Sequence, residues 1–146
     1  MQLNLETDYA IRCLMYMAAA HGDCVTSTEL GEELDIEPNH VQKILRKLCR
    51  AGLLNSVRGR MGGYVMERPA DTVTMKEILY IMEDSMLVNR CVAKEDSCSY
   101  CGECAVRPFF RWMQDTMDDL AASVSLEDLM KTHPPRILDE ENDDVI

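Results

Sequence analysis

The sequence predicts a mainly α-helical fold with one small β-hairpin: a winged helix-turn-helix unit followed by a long C-terminal helix. Three observations favour this fold. Two short helical patterns are joined by a tight turn between about residues 27 and 50, a glycine-rich hairpin pattern follows, and a long amphipathic stretch begins at Pro108. A chain of 146 residues, 47% of them hydrophobic, forms one ordinary domain or a small domain with an appended arm.

The N-terminal part of the chain carries the start signals of two helices. Thr7 is the predicted N-cap of the first helix, in which apolar residues recur at helical spacing from about Asp8 to Ala20. Thr26 followed by Glu29 fits a capping box, so a second, shorter helix is expected to end near Leu34.

A third helix is predicted to begin at Pro38 and to be closed by Gly52. In a helix-turn-helix pair the second helix lies in the major groove of DNA, with its N-terminal residues toward the base edges. We therefore expect contacts to DNA from this helix and from the start of the preceding one. The candidates are Thr28, Asn39, His40, Gln42, Lys43 and Arg46.

Residues 53–66 resemble a β-hairpin with a basic, glycine-rich tip. Apolar, strand-like residues lie on both sides of Arg58-Gly59-Arg60-Met61-Gly62-Gly63. The glycines allow the tip to follow a sugar-phosphate backbone closely, and the arginines supply charge or read the minor groove. We interpret the hairpin as a wing that contacts DNA through Arg58, Arg60, Gly62 and Gly63. An ordinary exposed hairpin explains the glycines but not the helix pair before them.

The charge distribution agrees with a nucleic-acid partner, although the net charge of −11 does not. Residues 38–68 contain seven Lys or Arg and one Glu, which gives this segment +6 and leaves −17 for the rest of the chain. One basic face on an acidic body is expected of a DNA-binding protein. A solvated basic helix without a partner is the simpler alternative.

The C-terminal half predicts a helix from Thr74 to about Met86, a cysteine-rich loop over 89–107, and a long helix that opens at Pro108. One stripe of the long helix carries Phe109, Trp112, Met113, Met117 and Leu120. The long helix as a whole carries both Phe residues of the chain, and its stripe includes the single Trp. We interpret it as a dimer interface, with ordinary core packing as the alternative.

The loop cysteines are spaced Cys91-x6-Cys98-x2-Cys101-x2-Cys104. Such thiols bind zinc or an iron-sulfur cluster, or act as redox thiols. Zinc sites usually consist of two separated Cys-x2-Cys pairs, whereas here three cysteines follow one distant cysteine, which favours a cluster. The isolated Cys13, Cys24 and Cys49 are expected to be small apolar residues rather than ligands.

Several of these motifs occur together in one known family. The chain resembles the IscR/NsrR family of winged-helix transcription regulators, the Rrf-two superfamily, from Met1 to about Met130. The matching motifs are Thr7-Asp8-Tyr9-Ala10, Ser56-Val57-Arg58-Gly59, Gly62-Gly63-Tyr64, the cysteines Cys91, Cys98 and Cys104, and the run into Arg107 and Trp112. The resemblance implies a homodimer joined by the long helix and a cluster, four-iron four-sulfur in preference to two-iron two-sulfur, on those three cysteines. It also implies a pseudo-palindromic double-stranded DNA operator.

The fourth ligand distinguishes two branches of that family. The regulators of iron-sulfur biogenesis have a histidine where this chain has Arg107, which cannot ligate a metal. The nitric-oxide-sensing branch uses an aspartate from the other subunit, and Asp8 matches it, as Asn39-His40 also matches that branch. The resemblance is therefore to the NsrR-like branch. Cys101 is the alternative fourth ligand.

We divide the sequence into a winged helix-turn-helix domain (1–88), a cysteine-rich cluster-binding loop (89–107), a dimerisation helix with a short terminal helix (108–131), and an acidic tail expected to be disordered (132–146). The start lacks a basic signal-peptide flank and no stretch is apolar enough to span a membrane, so we predict a cytoplasmic regulator, most simply a repressor. The alternatives are a thiol-disulfide switch without metal, a zinc-stabilised regulator and an electron-transfer protein. Scattered histidines without a nucleophile-base pair argue against an enzyme.

Overall fold

The computed structural model describes residues 2–94, 98–100 and 103–132. This part of the chain contains seven α-helices and a two-stranded antiparallel sheet, which confirms the predicted fold class. The helices are α1 (Leu5–Ala19), α2 (Ser27–Leu34), α3 (Pro38–Arg50), α4 (Met75–Met82), α5 (Arg90–Ala93), α6 (Arg107–Ser123) and α7 (Leu126–Thr132). The strands are β1 (Leu54–Val57) and β2 (Gly63–Met66), and a 3₁₀ turn, Ala70–Thr72, precedes α4.

Helix α1 begins at Leu5 rather than at Asp8, and the prediction that Thr7 caps it was wrong. The N-cap is Asn4, whose backbone N–H and side-chain Nδ2 each donate to the Glu83 carboxylate at 2.8 Å. Thr7 is fully buried in the first turn, and its hydroxyl also donates to Glu83 Oε1, at 2.5 Å. The Thr7 hydroxyl thus donates to a carboxylate that is distant in sequence and does not cap a nearby backbone N–H group.

The helix-turn-helix pair follows from local signals. The Thr26 hydroxyl accepts a hydrogen bond from the Glu29 N–H at 3.1 Å, as predicted for the start of α2. Gly31 permits the tight turn, because a Cβ there would lie 2.7 Å from the Ile36 carbonyl oxygen. Pro38 occupies the first turn of α3, as expected. The buried face of α3 consists of Val41, Ile44, Leu45 and Leu48.

Strands β1 and β2 form the predicted hairpin, with Leu54 paired to Met66 and Val57 to Gly63. Its tip requires glycine, since a Cβ on Gly62 would overlap the Val57 carbonyl oxygen. The hairpin is fixed to the domain through an antiparallel bridge between Tyr64 and Val25, whose backbone N–H and C=O groups bond reciprocally at 2.8 and 2.9 Å. This bridge holds the base of the wing and leaves its tip exposed.

The two C-terminal helices, α6 and α7, lie in different places: α7 packs into the hydrophobic core and α6 lies against α4. Leu126 of α7 is fully buried in the same hydrophobic core as α1 and α3, and its N–H donates to the Val73 carbonyl at 2.8 Å. Helix α6 lies against α4 and buries only Gln114. Helix α4 ends at Met82, earlier than the predicted Met86, because Glu83 leaves the helix to bind α1. None of the helices in the described ranges is long and apolar enough to cross a membrane.

Two further boundaries differ slightly from the prediction. The loop over 89–107 contains the one-turn helix α5, and α6 begins at Arg107, with Pro108 inside its first turn. The predicted acidic tail lies outside the described residues, apart from Thr132.

Candidate nucleic-acid interface and cysteine cavity

The outward face of α3 carries the predicted DNA contacts. Asn39, Lys43 and Arg46 are exposed, while His40 and Gln42 are half-buried. Thr28, at the start of α2, is exposed as well. Because the apolar face of α3 fills the core, these polar side chains remain on the side of the helix that a DNA groove can reach.

Two of the predicted contacts are already engaged by the first turns of α1. Glu6 Oε1 lies 2.8 Å from Lys43 Nζ and 3.2 Å from His40 Nε2. The hydrogen bond from Lys43 lowers the pKa of Glu6 below its usual value, with a smaller contribution from His40, although burial opposes the shift. The Tyr9 ring packs edge-on against His40, with 5.6 Å between the ring centroids. These contacts of Glu6 and Tyr9 were not predicted from the sequence, because no local pattern links positions more than 30 residues apart.

The wing presents its basic tip to solvent. Arg58 and Arg60 are exposed, and Met61 between the tip residues is 87% exposed. Gly62 precedes β2 and Gly63 begins it, and both glycines are half-buried. A Cβ on Gly63 would lie 2.7 Å from the Val25 carbonyl oxygen, so Gly63 serves the close approach of the hairpin to the domain. The arginines are therefore the accessible charged groups of this tip.

A cavity of about 510 Å³ collects three of the four loop cysteines. Cys91 comes from α5, and Cys98 and Cys104 come from the loop between α5 and α6. Its remaining lining residues are Asn89, Arg90, Ser99, Arg107 and Phe110. Cys98 is exposed and the other two cysteines are half-buried, so an incoming group could reach all three sulfur atoms.

Arg107 connects the long helix to this cavity. Its Nε donates to the Cys91 carbonyl at 3.3 Å, which ties the first turn of α6 to α5. Together with Arg90 it places positive charge beside the thiols, where it would offset the charge of an anionic cluster. The contact of Arg107 with the Cys91 carbonyl was not predicted from the sequence, which indicated that Arg107 cannot ligate a metal.

The two candidate fourth ligands are Asp8 and Cys101. Asp8 is exposed at the start of α1, does not line the cavity, and pairs with Arg12 through a 2.8 Å contact. Cys101 lies outside the described residues. Within residues 2–94, 98–100 and 103–132, no three His, Cys, Asp or Glu side chains form a group that could hold a metal ion. Cys91, Cys98 and Cys104 line a common cavity.

Two of the isolated cysteines, Cys13 and Cys49, have the environments expected of apolar residues. Cys13 is completely buried in the core, and burial raises the pKa of its thiol to about 12. Burial also raises the pKa of Cys49. Both groups are therefore protonated near neutral pH and are poor ligands.

The predicted stripe on α6 faces away from the domain core. Trp112 and Leu120 are each 66% exposed, Phe109 is 52% exposed, Met113 is 43% exposed, and Met117 is half-buried. Large apolar side chains that recur every three or four residues along one exposed helix face are characteristic of an interaction surface.

A helix-turn-helix pair with a basic outward face, a wing with an arginine tip and an appended helix define a winged-helix transcription regulator, and not an enzyme. The chain belongs to the Rrf2 family, described as "Iron-dependent Transcriptional regulator", which it matches over residues 3–132. It is 32% identical over 135 residues to Protein aau3 of Rhizobium meliloti (strain 1021), covering 92% of this chain and 88% of that one.

Solved structures of similar fold include two regulators with different names. CymR (YrzC), the global cysteine regulator of B. subtilis, is 20% identical with a TM-score of 0.73, covering 90% of this chain and 98% of that one. IscR of T. potens is 17% identical with a TM-score of 0.69, covering 90% of this chain and 88% of that one. At these identities the likeness establishes the shared fold.

Proposed function

We propose that the protein is a homodimeric repressor whose affinity for a pseudo-palindromic operator is controlled by an iron-sulfur cluster bound to Cys91, Cys98 and Cys104. The observation that supports this best is the shared cavity: three cysteines spread over fourteen positions line one space between α5 and α6. The family description as iron-dependent agrees with this proposal. We also propose that it acts in the cytoplasm.

The donor set fits the proposed group. Thiolates are the usual ligands of iron-sulfur clusters, and the two cavity arginines supply compensating charge. We propose a four-iron cluster in the manner of the NsrR-like branch, with Asp8 of the partner subunit as the fourth ligand and Cys101 as the alternative. When bound, such a cluster supplies iron that reacts with nitric oxide or oxidants, and a carboxylate-bound iron is the weakest point of attachment.

Residues of α3 would contact the operator. In a dimer the two copies of α3 enter successive major grooves, about 34 to 36 Å apart. Asn39, Gln42 and Arg46 are the contacts that the structure leaves without an α1 partner, whereas His40 and Lys43 would have to exchange Glu6 for DNA. The position of α1 therefore affects the charge that α3 presents to the groove.

The test is metal and sulfide analysis of protein purified without oxygen, with visible spectra before and after nitric oxide. Iron and sulfide near about four per chain, bleached by nitric oxide, would support the four-iron nitric-oxide sensor. Iron that nitric oxide leaves unchanged would point to redox state or iron supply as the signal. Zinc would favour a structural site, and thiols without metal would favour a disulfide switch.

Replacing the wing arginine Arg58 should weaken DNA binding regardless of sequence. Arg58→Ala removes one exposed cation, and we expect the slope of log affinity against log salt to fall by about one unit. The measurement is a salt titration of operator and random DNA binding. Lys131→Ala, which removes an exposed cation from α7, is the matched control and should leave the slope unchanged. Equal affinity of Arg58→Ala and wild type at low salt would contradict the wing assignment.

A further inference from the structure

One buried amide connects α6 to the segment that leads into the cysteine loop. Gln114 is 5% exposed, and its side chain uses both polar ends. Nε2 donates to the Met86 carbonyl at 3.2 Å and to Asp118 Oδ1 at 3.0 Å, while Oε1 accepts from the Val88 N–H at 3.0 Å. Because a buried amide is costly unless it is bonded in this way, these contacts fix residues 86–88 against the long helix.

The same segment holds the start of α1 at its other end. Glu83 accepts three hydrogen bonds from α1, two from Asn4 and one from the Thr7 hydroxyl. Residues 83–88, which we term the connector, therefore contact α1 through Glu83 and α6 through their C-terminal half. The connector is followed by Asn89, Arg90 and Cys91, which line the cysteine cavity.

The connector is also next to α3. Lys47 of α3 donates from Nζ to the carbonyl of Met82, the residue before Glu83, at 2.9 Å. Glu83 also contacts the start of α1, and the first turn of α1 carries Glu6. The Glu6 carboxylate in turn binds His40 and Lys43 of α3. A shift of the connector thus reaches the DNA-reading helix by two routes, one direct and one through α1.

We infer that Gln114 is a positioning residue that transmits the state of the cysteine cavity to α1 and α3 by holding the connector against α6. Arg107 binds the Cys91 carbonyl two helical turns before Gln114, so α6 is attached to the peptide on both sides of Asn89. A change in the cavity that moves Cys91 relative to α6 is then opposed by Gln114 and passes to the connector. The inference rests on the proposed function, because the signal that it transmits is the state of the proposed cluster. The hydrogen bonds of Gln114, Glu83 and Arg107 do not depend on that function.

The first test uses the metal-free homodimer and hydrogen exchange. Gln114→Met keeps a side chain of similar length and removes all three hydrogen bonds. We expect faster amide exchange at residues 86–88 and also at residues 4–8, where the N–H of Asn4 depends on Glu83. Asp115→Asn changes the exposed neighbour on α6 and should alter neither region. Faster exchange confined to residues 86–88 would overturn the inference.

The second test measures the ratio of operator affinities for cluster-loaded and cluster-free protein. Gln114→Met should retain the visible spectrum, and the ratio should fall at least about fivefold toward one, within the usual range of such couplings. Glu83→Gln, which weakens the other end of the connector, should lower the ratio similarly, and the double variant should lower it no further. A ratio equal to that of wild type in a folded, loaded Gln114→Met protein would overturn the inference. Absence of iron from wild type would instead overturn the proposed function, and the exchange result would still decide the role of Gln114.

Discussion

Cys98→Ala should abolish iron and sulfide binding while the protein keeps its fold. Cys98 is exposed and lies outside the hydrophobic core, so its truncation should change the free energy of unfolding by no more than about 0.5 kcal/mol. Of the three cavity thiols, however, only those of Cys91 and Cys104 would be left. With a single further ligand, Asp8 of the partner subunit or Cys101, the proposed cluster would have one ligand too few to persist. Iron and sulfide assays with visible and far-ultraviolet circular dichroism spectra provide the measurement.

A matched cysteine variant separates ligand loss from general thiol effects. Cys24→Ala removes a half-buried thiol that lines a different cavity, between α1 and α2, and should retain the spectrum of wild type. An unchanged visible spectrum in Cys98→Ala would refute the assignment of Cys98 as a ligand. Loss of the spectrum in both variants would show that the absorption does not report this cavity.

Trp112→Asp should convert the proposed dimer to a monomer and cause the largest loss of operator affinity outside the reading helix. Trp112 is 66% exposed in the single chain, and burying that area at about 25 cal/mol per Å² contributes about 2 to 4 kcal/mol for each copy. A symmetric interface uses the residue twice, and a buried carboxylate adds a further cost. We expect the dissociation constant of the dimer to rise by at least about a thousandfold.

The effect on DNA follows from the loss of the second half-site. A monomer keeps one α3 and one wing, so its operator affinity should fall by a factor of about 10² to 10⁴. Sedimentation velocity and operator titration would measure the two effects. Met61→Asp introduces the same acid at an exposed apolar residue of the wing and should leave the dimer intact. A dimeric Trp112→Asp protein would show that the stripe on α6 is not the interface.

Much of the fold could be predicted because its signals are local. The capping hydroxyl of Thr26 accepts from the Glu29 N–H, as predicted. The Thr74 hydroxyl likewise accepts from the Glu77 N–H, and Ser125 bonds reciprocally with Asp128. A hydroxyl three positions before its partner is close to it in any conformation that starts a helix. Thr7 was also predicted to be an N-cap, and that prediction was wrong, because its hydroxyl binds Glu83, 76 positions away.

The residue types of the candidate sites could also be predicted from the sequence. Four cysteines in fourteen positions, two arginines in a glycine-rich tip and an apolar stripe with the single Trp each identify a chemistry without coordinates. The structure then places three of the cysteines around one cavity and leaves the tip and the stripe exposed. The roles of these groups remain predictions that the experiments above test.

The amino-acid order alone specified the helix pair, the wing and the cysteine-rich loop, since each depends on neighbours within about four positions along the chain. Only the tertiary structure decided that Glu6 holds His40 and Lys43, that Gln114 clamps the connector, and that Leu126 returns to the core. These contacts join residues that are far apart in sequence, and a hydrogen bond or packed side chain forms only once the hydrophobic core has fixed the helices that carry them. Their partners are therefore set by the packing of the whole chain, which no short segment encodes.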